Sequence, residues 1–314
     1  MKKLVVAIGG NAILPAGDAG DSASQRRRIE ASCEKLADLV AAGHDVVVTH
    51  GNGPQVGNIL LQNEESRHKV PAMPLDVCGA ESQAQIGYLL QQALGNEFAA
   101  RGIAKGVACL VTQVLVREDD PAFVNPTKPI GPYYAREDEI IVKKAKGWKM
   151  VHDRRGGWRR VVPSPRPVDI VEKDLIVRLV GQGNGNVLIA AGGGGIPVVR
   201  RQGRLVGVEA VIDKDLASAV LARAIGWKTL VIVTDVSQVA LDYGKPTQRV
   251  LDRMSVKEAK EHLAAGQFPP GSMGPKIEAA VEFLEHGGDR VVVTDMEHLV
   301  DAVDGKAGTR IGKA

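Results

Sequence analysis

The chain has 314 residues, 44% of them hydrophobic and 25% charged, which at about 150 residues per domain predicts one large or two medium domains able to bury their own core. Forty Lys and Arg against 37 Asp and Glu leave a net charge of +3, without the basic excess of a dedicated nucleic-acid binder. The presence of only 3 Trp, 4 Tyr and 4 Phe beside 36 Gly argues against a base-stacking surface.

In chain order, residues 4–8 form an apolar run ahead of Gly9-Gly10-Asn11, shorter than the roughly 7–15 residues of a signal core, and so predict a buried strand. An amphipathic stretch over 24–42 ends at Gly43, and a strand at 46–49 leads into His50-Gly51-Asn52-Gly53-Pro54. A helix over 82–101 ending at Gly102 and a strand over 107–116 follow. Further on come a strand at 187–191 before Gly192-Gly193-Gly194-Gly195, a helix over 215–225, and a strand at 229–234 before Asp235-Val236. A helix over 255–265, with Ser255 and Glu258 spaced as a capping box, and a strand at 290–294 complete the series. Strands that read as continuous apolar runs, alternating with helices that stop at glycine, predict an α/β fold on a mostly parallel sheet. No apolar run reaches the ~18 residues of a membrane helix. Cys33, Cys78 and Cys109 lack the spacing of a disulfide framework or a zinc site; both observations predict a soluble protein of the reducing cytoplasm.

Residues 118–167 break this rhythm. They carry seven prolines, and between Lys143 and Arg160 lie Lys143, Lys144, Lys146, Lys149, Arg154, Arg155, Arg159 and Arg160 against the single acid Asp153. The segment reads as an inserted subdomain whose cations form either a solvated face or a funnel for anionic substrates.

Ligands of open α/β sheets bind beyond the carboxyl ends of the strands, and here those ends are rich in glycine, which lets backbone N–H groups approach an anion. The edge is therefore predicted to bind phosphate. No GxxxxGK[ST] loop is present, and the run from Gly51 to Gly57 has the wrong spacing for a dinucleotide fingerprint. There is no GxSxG elbow, HExxH helix or EF-hand loop either. Positive charge for a transferring phosphate must come from elsewhere. Lys214, between Asp213 and Asp215 at a helix start, and Lys276, after Gly274-Pro275, are the candidates.

The segments AIGGNA (7–12), THGNGPQVG (49–57), NPTKPIGP (125–132), VVPSP (161–165), GGGGIP (192–197), VEAVIDKD (208–215) and PGSMGPKIEAA (270–280) resemble those of carbamate kinases, a branch of the amino acid kinase superfamily, nearly end to end. The resemblance implies a three-layer αβα sandwich over residues 1–314 with a mostly parallel sheet, a protruding lid at 118–167, and a homodimer. It implies phosphoryl exchange between MgATP and carbamate, giving ADP and carbamoyl phosphate, and use of the reverse direction to make ATP during arginine breakdown. It places the transferring phosphoryl group at Gly9, Gly10 and Asn11 and the carbamate at Gly51, Asn52 and Gly53. Lys214 and Lys276 would act on the β and γ oxygens, with Asp215, and secondarily Asp213, orienting them, and Lys128 would be delivered by the lid. The nucleotide would lie along Thr234, Asp235, Val236, Tyr243, Met273 and Gly274, with magnesium held by phosphates and water and no protein ligand. The chain departs from the family pattern near Gly79 and Glu81, close to the expected substrate and dimer faces. The competing readings are another kinase of the superfamily with a different carboxylate or nucleotide acceptor, and a non-catalytic nucleotide-sensing or RNA-binding regulator. Neither nucleic acid nor membrane is an expected partner.

Overall fold

A computed structural model describes residues 2–13, 21–145, 147–153, 157–181, 185–269 and 271–313. Its centre is an eight-stranded sheet in the order Arg253–Ser255, Thr309–Gly312, Arg290–Thr294, Thr229–Val233, Lys3–Ile8, Asp45–His50, Val187–Ile189, Val107–Cys109. All neighbours are parallel except Arg290–Thr294 and Thr309–Gly312.

Alternate residues of each strand enter different cores. Leu4, Val6, Ile8, Val46 and Val48 meet the helices Ser22–Ala41 and Leu75–Ala100 through Ile29, Leu36, Ile86, Leu90 and Phe98. Val5, Ala7, Val47, Leu230 and Ile232 meet the helices Lys214–Ala224 and Met273–Glu285 through Ala217, Leu221, Ile277 and Ala280 on the opposite face. Burial on both faces is why these strands carry no polar alternation. The result is the expected three-layer αβα sandwich.

Two readings differ from the structure by more than two residues. The run 107–116 is two strands: Val107–Cys109 lies in the central sheet, while Gln113–Val116 joins a second sheet with Arg204–Gly207, Ile196–Arg201 and Pro167–Ile170. A buried side chain makes the crossing, since Gln83 Oε1 accepts from Thr112 N at 2.7 Å and Gln83 Nε2 donates to Gly192 O at 2.7 Å. A continuous apolar run cannot show which sheet each half joins. The helix expected from 82 begins at Leu75, after Pro74 in extended conformation. Leu75 and Cys78 extend it into a third small core with Val56, Leu60, Ile130, Val162 and Val211.

The antiparallel strands Gln113–Val116 and Pro167–Ile170 carry the chain out to, and back from, the proline-rich segment. That segment holds a three-stranded sheet, Lys128–Tyr134, Gly157–Val162 and Met150–Asp153, with the helix Glu137–Ala145. Four cations of its basic cluster are built into this unit. Lys143 Nζ lies 4.6 Å from the Tyr134 ring and 4.5 Å from Trp148, Arg160 packs on Trp148 at 4.3 Å, Lys144 on Trp158 at 4.2 Å and Arg159 on Tyr133 at 5.0 Å. Each such contact contributes roughly 0.5–1 kcal/mol, so these cations help hold together a unit with little apolar core. Lys146, Arg154 and Arg155 lie outside the described residues, as does the Asp153 side chain.

The strand Lys128–Tyr134 sits directly on the helix Gly53–Ser66. A methyl group on Gly57 would land on the Gly131 nitrogen and Cα and 2.9 Å from the Ile130 carbonyl carbon. Gly131 itself has φ of +70°, the left-handed region that glycine adopts without strain.

Candidate active site

The carboxyl ends of the central strands are joined in one shelf. Gly9 N donates to Val233 O at 3.0 Å, Gly51 N to Ile8 O at 3.0 Å and Thr234 N to Thr294 O at 2.8 Å. A Cβ on Gly51 would lie 3.2 Å from Gly10 N and 3.5 Å from the Lys214 side chain. Gly10 would meet nothing within 4 Å and Gly53 only Pro129 O at 3.9 Å, so these two glycines border open space. The run Gly192 to Gly195 differs: side chains there would strike His50, Asn52, Ile212 and Val114 respectively. Those glycines serve close packing behind the shelf.

Three lysines and two carboxylates meet at this shelf. Asp215 accepts from Lys214 through Oδ1 and from Lys276 Nζ through Oδ2 at 3.2 Å, while Asp213 Oδ2 accepts from Lys128 Nζ at 2.6 Å. Asp213 Oδ1 also accepts from Asp215 N at 2.9 Å, capping the helix Lys214–Ala224, so one carboxylate both starts the helix and anchors the lysine of the inserted segment. Lys214 and Asp215 are buried. Burial pulls the Lys214 ammonium below its ordinary value against the pull of Asp215. Burial would do the same to Lys276, but Asp215 and Asp213 outweigh it and raise that group, with Asp235 adding to the effect. Burial alone would raise the Asp213 carboxyl; Lys128, Lys214 and Lys276 outweigh it and hold it well below the usual carboxylate range. The three lysines exceed Asp213 and Asp215 by one formal positive charge, which Asp235 offsets.

Two helices that carry residues of this region start without a side-chain cap. Asn52 precedes Gly53–Ser66 with no side-chain cap, because its amide Nδ2 donates instead to Ser82 Oγ at 2.8 Å. Met273–Glu285, which carries Lys276 in its first turn, also lacks a side-chain cap, although its Gly274 N–H is bonded to Pro269 O at 3.0 Å and Pro275 has no N–H to offer. Unsatisfied N–H groups at a helix start favour an anion.

Beneath the shelf lies a buried polar chain that sequence reading missed: Thr49 Oγ1 and Ser218 Oγ are 2.6 Å apart, and Ser218 Oγ donates to Lys214 O at 2.6 Å. It ties the second strand to the helix that presents Lys214. The two hydroxyls are 169 positions apart and have no local motif. His50 is also buried, and burial lowers its imidazole to about 4. An unfolded histidine titrates near 6.5, so between these pH values the unfolded chain binds a proton that the folded protein excludes. Stability therefore falls as pH drops from 6.5 to 4, by about 3 kcal/mol when fully developed. Urea midpoints of the wild type should fall across that window, and those of His50→Asn should fall less. The Asp213 contribution is present above its unfolded value near 4 and is lost only below it.

Of the residues singled out from the sequence, Lys128, Asp213, Lys214, Asp215 and Lys276 are joined by direct contacts, with Gly9, Gly10, Gly51, Asn52 and Gly53 on the adjoining turns. Asn11 lies in the short helix Gly10–Ile13, and its side chain is outside the described residues. Thr234 donates to Asp235 at 3.0 Å beside the lysines, and Met273 and Gly274 open the helix of Lys276. Val236 follows Asp235 half-buried, and Tyr243 stands exposed after the strand Val239–Leu241; neither bonds the cluster among the described residues. At the departure from the family pattern, a Cβ on Gly79 would meet nothing within 4 Å, and Glu81 is exposed. Among the described residues no helix is long and apolar enough to cross a membrane.

The chain is similar to known proteins along nearly its whole length. The model of the amino acid kinase family matches residues 2–295. The carbamate kinase of Thermococcus kodakarensis is 47% identical over 314 residues, covering 99% of both chains, and that of Halobacterium salinarum is 48% identical over 315 residues, covering 99% of this chain and 98% of the other. The solved carbamate kinase of Giardia lamblia bound to AMP-PNP superposes with a TM-score of 0.90 at 43% identity, covering 100% of this chain and 99% of the other. The chain belongs to the amino acid kinase family and, within it, to the carbamate kinases.

Proposed function

We propose that this kinase exchanges a phosphoryl group between MgATP and carbamate, and that its working direction is the formation of ATP from carbamoyl phosphate and ADP, as in arginine fermentation. The observation that carries the reading is the meeting of Lys128, Lys214 and Lys276 on Asp213 and Asp215 at a glycine edge. In the forward direction a carbamate oxygen, already anionic, attacks the γ phosphorus of ATP as the bond to the β–γ bridging oxygen breaks and ADP leaves; no proton moves, so no general base is needed. The barrier is charge repulsion and alignment, which lysines and fixed N–H groups relieve. Gly9, Gly10 and Asn11 hold the transferring group, Gly51, Asn52 and Gly53 the carbamate, and Lys214 and Lys276 the β and γ oxygens. The nucleotide runs along Thr234, Asp235 and Val236 toward Tyr243, with Met273 and Gly274 beside it. A magnesium ion bound with the nucleotide would offset phosphate charge; Asp213 and Asp215 are both engaged by lysines, which fits an ion that would be held by phosphates and water.

Residues 118–167 act as the lid. Lys128 begins the strand that packs on Gly57, so movement of this unit would carry the lysine toward or away from Asp213. Lys128→Ala should lower turnover while leaving ADP affinity nearly unchanged; an equal loss of ADP binding by calorimetry would contradict the assignment. We also propose a homodimer, supported by the outward face of Leu75–Ala100, where Glu81 is the one charged residue among the exposed positions and Tyr88 is exposed. Sedimentation at micromolar concentration should give twice the chain mass. The cytoplasmic location is part of this reading, supported by three free cysteines. The deciding assay is ATP formation from carbamoyl phosphate and MgADP by the purified protein, read by luciferase, with Lys214→Ala as the contamination control. Absence of ATP from folded, ADP-binding protein would point to another acceptor.

A further inference from the structure

His50 ends the second central strand and immediately precedes the turn Gly51-Asn52-Gly53. Its side chain is 0% exposed. One ring nitrogen, Nδ1, lies 3.0 Å from the Gly51 carbonyl oxygen, while Nε2 has no hydrogen-bond partner among the described residues and faces Gly192, where any side chain would strike the ring. A carbonyl oxygen only accepts, so the proton of the neutral ring resides on Nδ1.

This bond acts on the next peptide unit. In a trans peptide the C=O and the following N–H point in opposite directions, so a Gly51 carbonyl turned toward the buried ring turns the Asn52 N–H away from it, in a turn whose Gly51 borders Gly10 N and the Lys214 side chain. Glycine at 51 gives this peptide little resistance of its own to rotation. The Asn52 side chain, bonded to Ser82, fixes the far side of the same unit. We propose that His50 is a positioning residue: its Nδ1–H locks the Gly51–Asn52 peptide so that the Asn52 N–H is presented to the carbamoyl end of the substrate. The inference rests on the reading that this turn holds the carbamate, and it assigns His50 no role in proton transfer.

His50→Leu removes the donor; His50→Asn keeps an N–H at nearly the position of Nδ1. We expect His50→Leu to raise KM for carbamoyl phosphate about tenfold or more, the equivalent of one lost hydrogen bond, with the Kd of ADP changed less than about twofold. His50→Asn should recover most of that loss, a rescue that a purely packing role would not give. An unchanged KM in folded His50→Leu, or His50→Asn as impaired as His50→Leu, overturns the proposal. Should His50→Leu fail to fold, nitrogen-15 histidine NMR of the wild-type protein decides: Nδ1 protonated with Nε2 bare supports the lock, and the opposite tautomer overturns it. That spectrum does not depend on turnover. The expected tautomer in a protein that does not use carbamoyl phosphate would retract the substrate while supporting the peptide lock.

Discussion

Lys214→Ala should lower kcat for ATP formation by about 10²–10³, the loss that follows removal of one preorganised donor from a developing anion. Lys214 lies with Asp215 at side-chain exposures of 9% and 3%, so its charge acts on a phosphate where water screens little. The variant should nevertheless fold. Stripping one partner from a buried ion pair costs about 3–5 kcal/mol when the other is left alone, but here Asp215 keeps Lys276 at 3.2 Å and Asp213 keeps Lys128 at 2.6 Å. A thermal midpoint lowered by only a few degrees alongside a kcat lowered at least a hundredfold is the expected signature. Lys276→Ala should behave alike, and the double variant should fall short of the product of the two effects because both lysines share Asp215. Turnover like that of the wild type in either single variant would remove the lysine from the mechanism.

Gly57→Ala should reduce turnover by a similar factor by a different route. Within a helix this exchange ordinarily stabilises, by about 1 kcal/mol. Here the added methyl occupies the place of the Gly131 backbone, which cannot swing aside as a side-chain tip can. The strand Lys128–Tyr134 must lift, and Lys128 at its first residue is drawn from Asp213. The expected result is a folded protein of near-normal ADP affinity with turnover lowered about 10²-fold, the loss assigned to one misplaced donor. Gly95→Ala, on the helix Leu75–Ala100 with nothing within 4 Å of the new methyl, is the control and should retain turnover. Normal activity in Gly57→Ala would show that the seat of the strand Lys128–Tyr134 on this helix is not needed for catalysis.

The alternation of strand and helix was legible because a strand buried on both faces must be apolar throughout and a helix stop favours glycine. The 290–294 strand and the Ser255–Glu258 capping box are found as read. The lysines could be picked out because Lys214 is flanked by two aspartates and Lys276 follows glycines at a helix start, local features that need no knowledge of the fold. The second sheet was not legible. Its strands are short, and the run 107–116 is divided by Gln83, a residue from another element. The basic cluster was ambiguous for the same reason, since a count of charges does not tell whether a ring lies under each one.

Sequence by itself determined the class of fold, the glycine edge, the identity of the cations and, through its motifs, the family. Local propensity, burial periodicity and short-range spacing carry that information. Tertiary structure alone decided which glycines are open and which are filled, that Asp215 bonds both the adjacent Lys214 and Lys276, 61 positions away, that Gly57 seats the strand Lys128–Tyr134, and that Thr49, Ser218 and His50 are buried behind the shelf. These are contacts between side chains or backbones far apart in the chain, and they exist only once the sheet has brought their strands together.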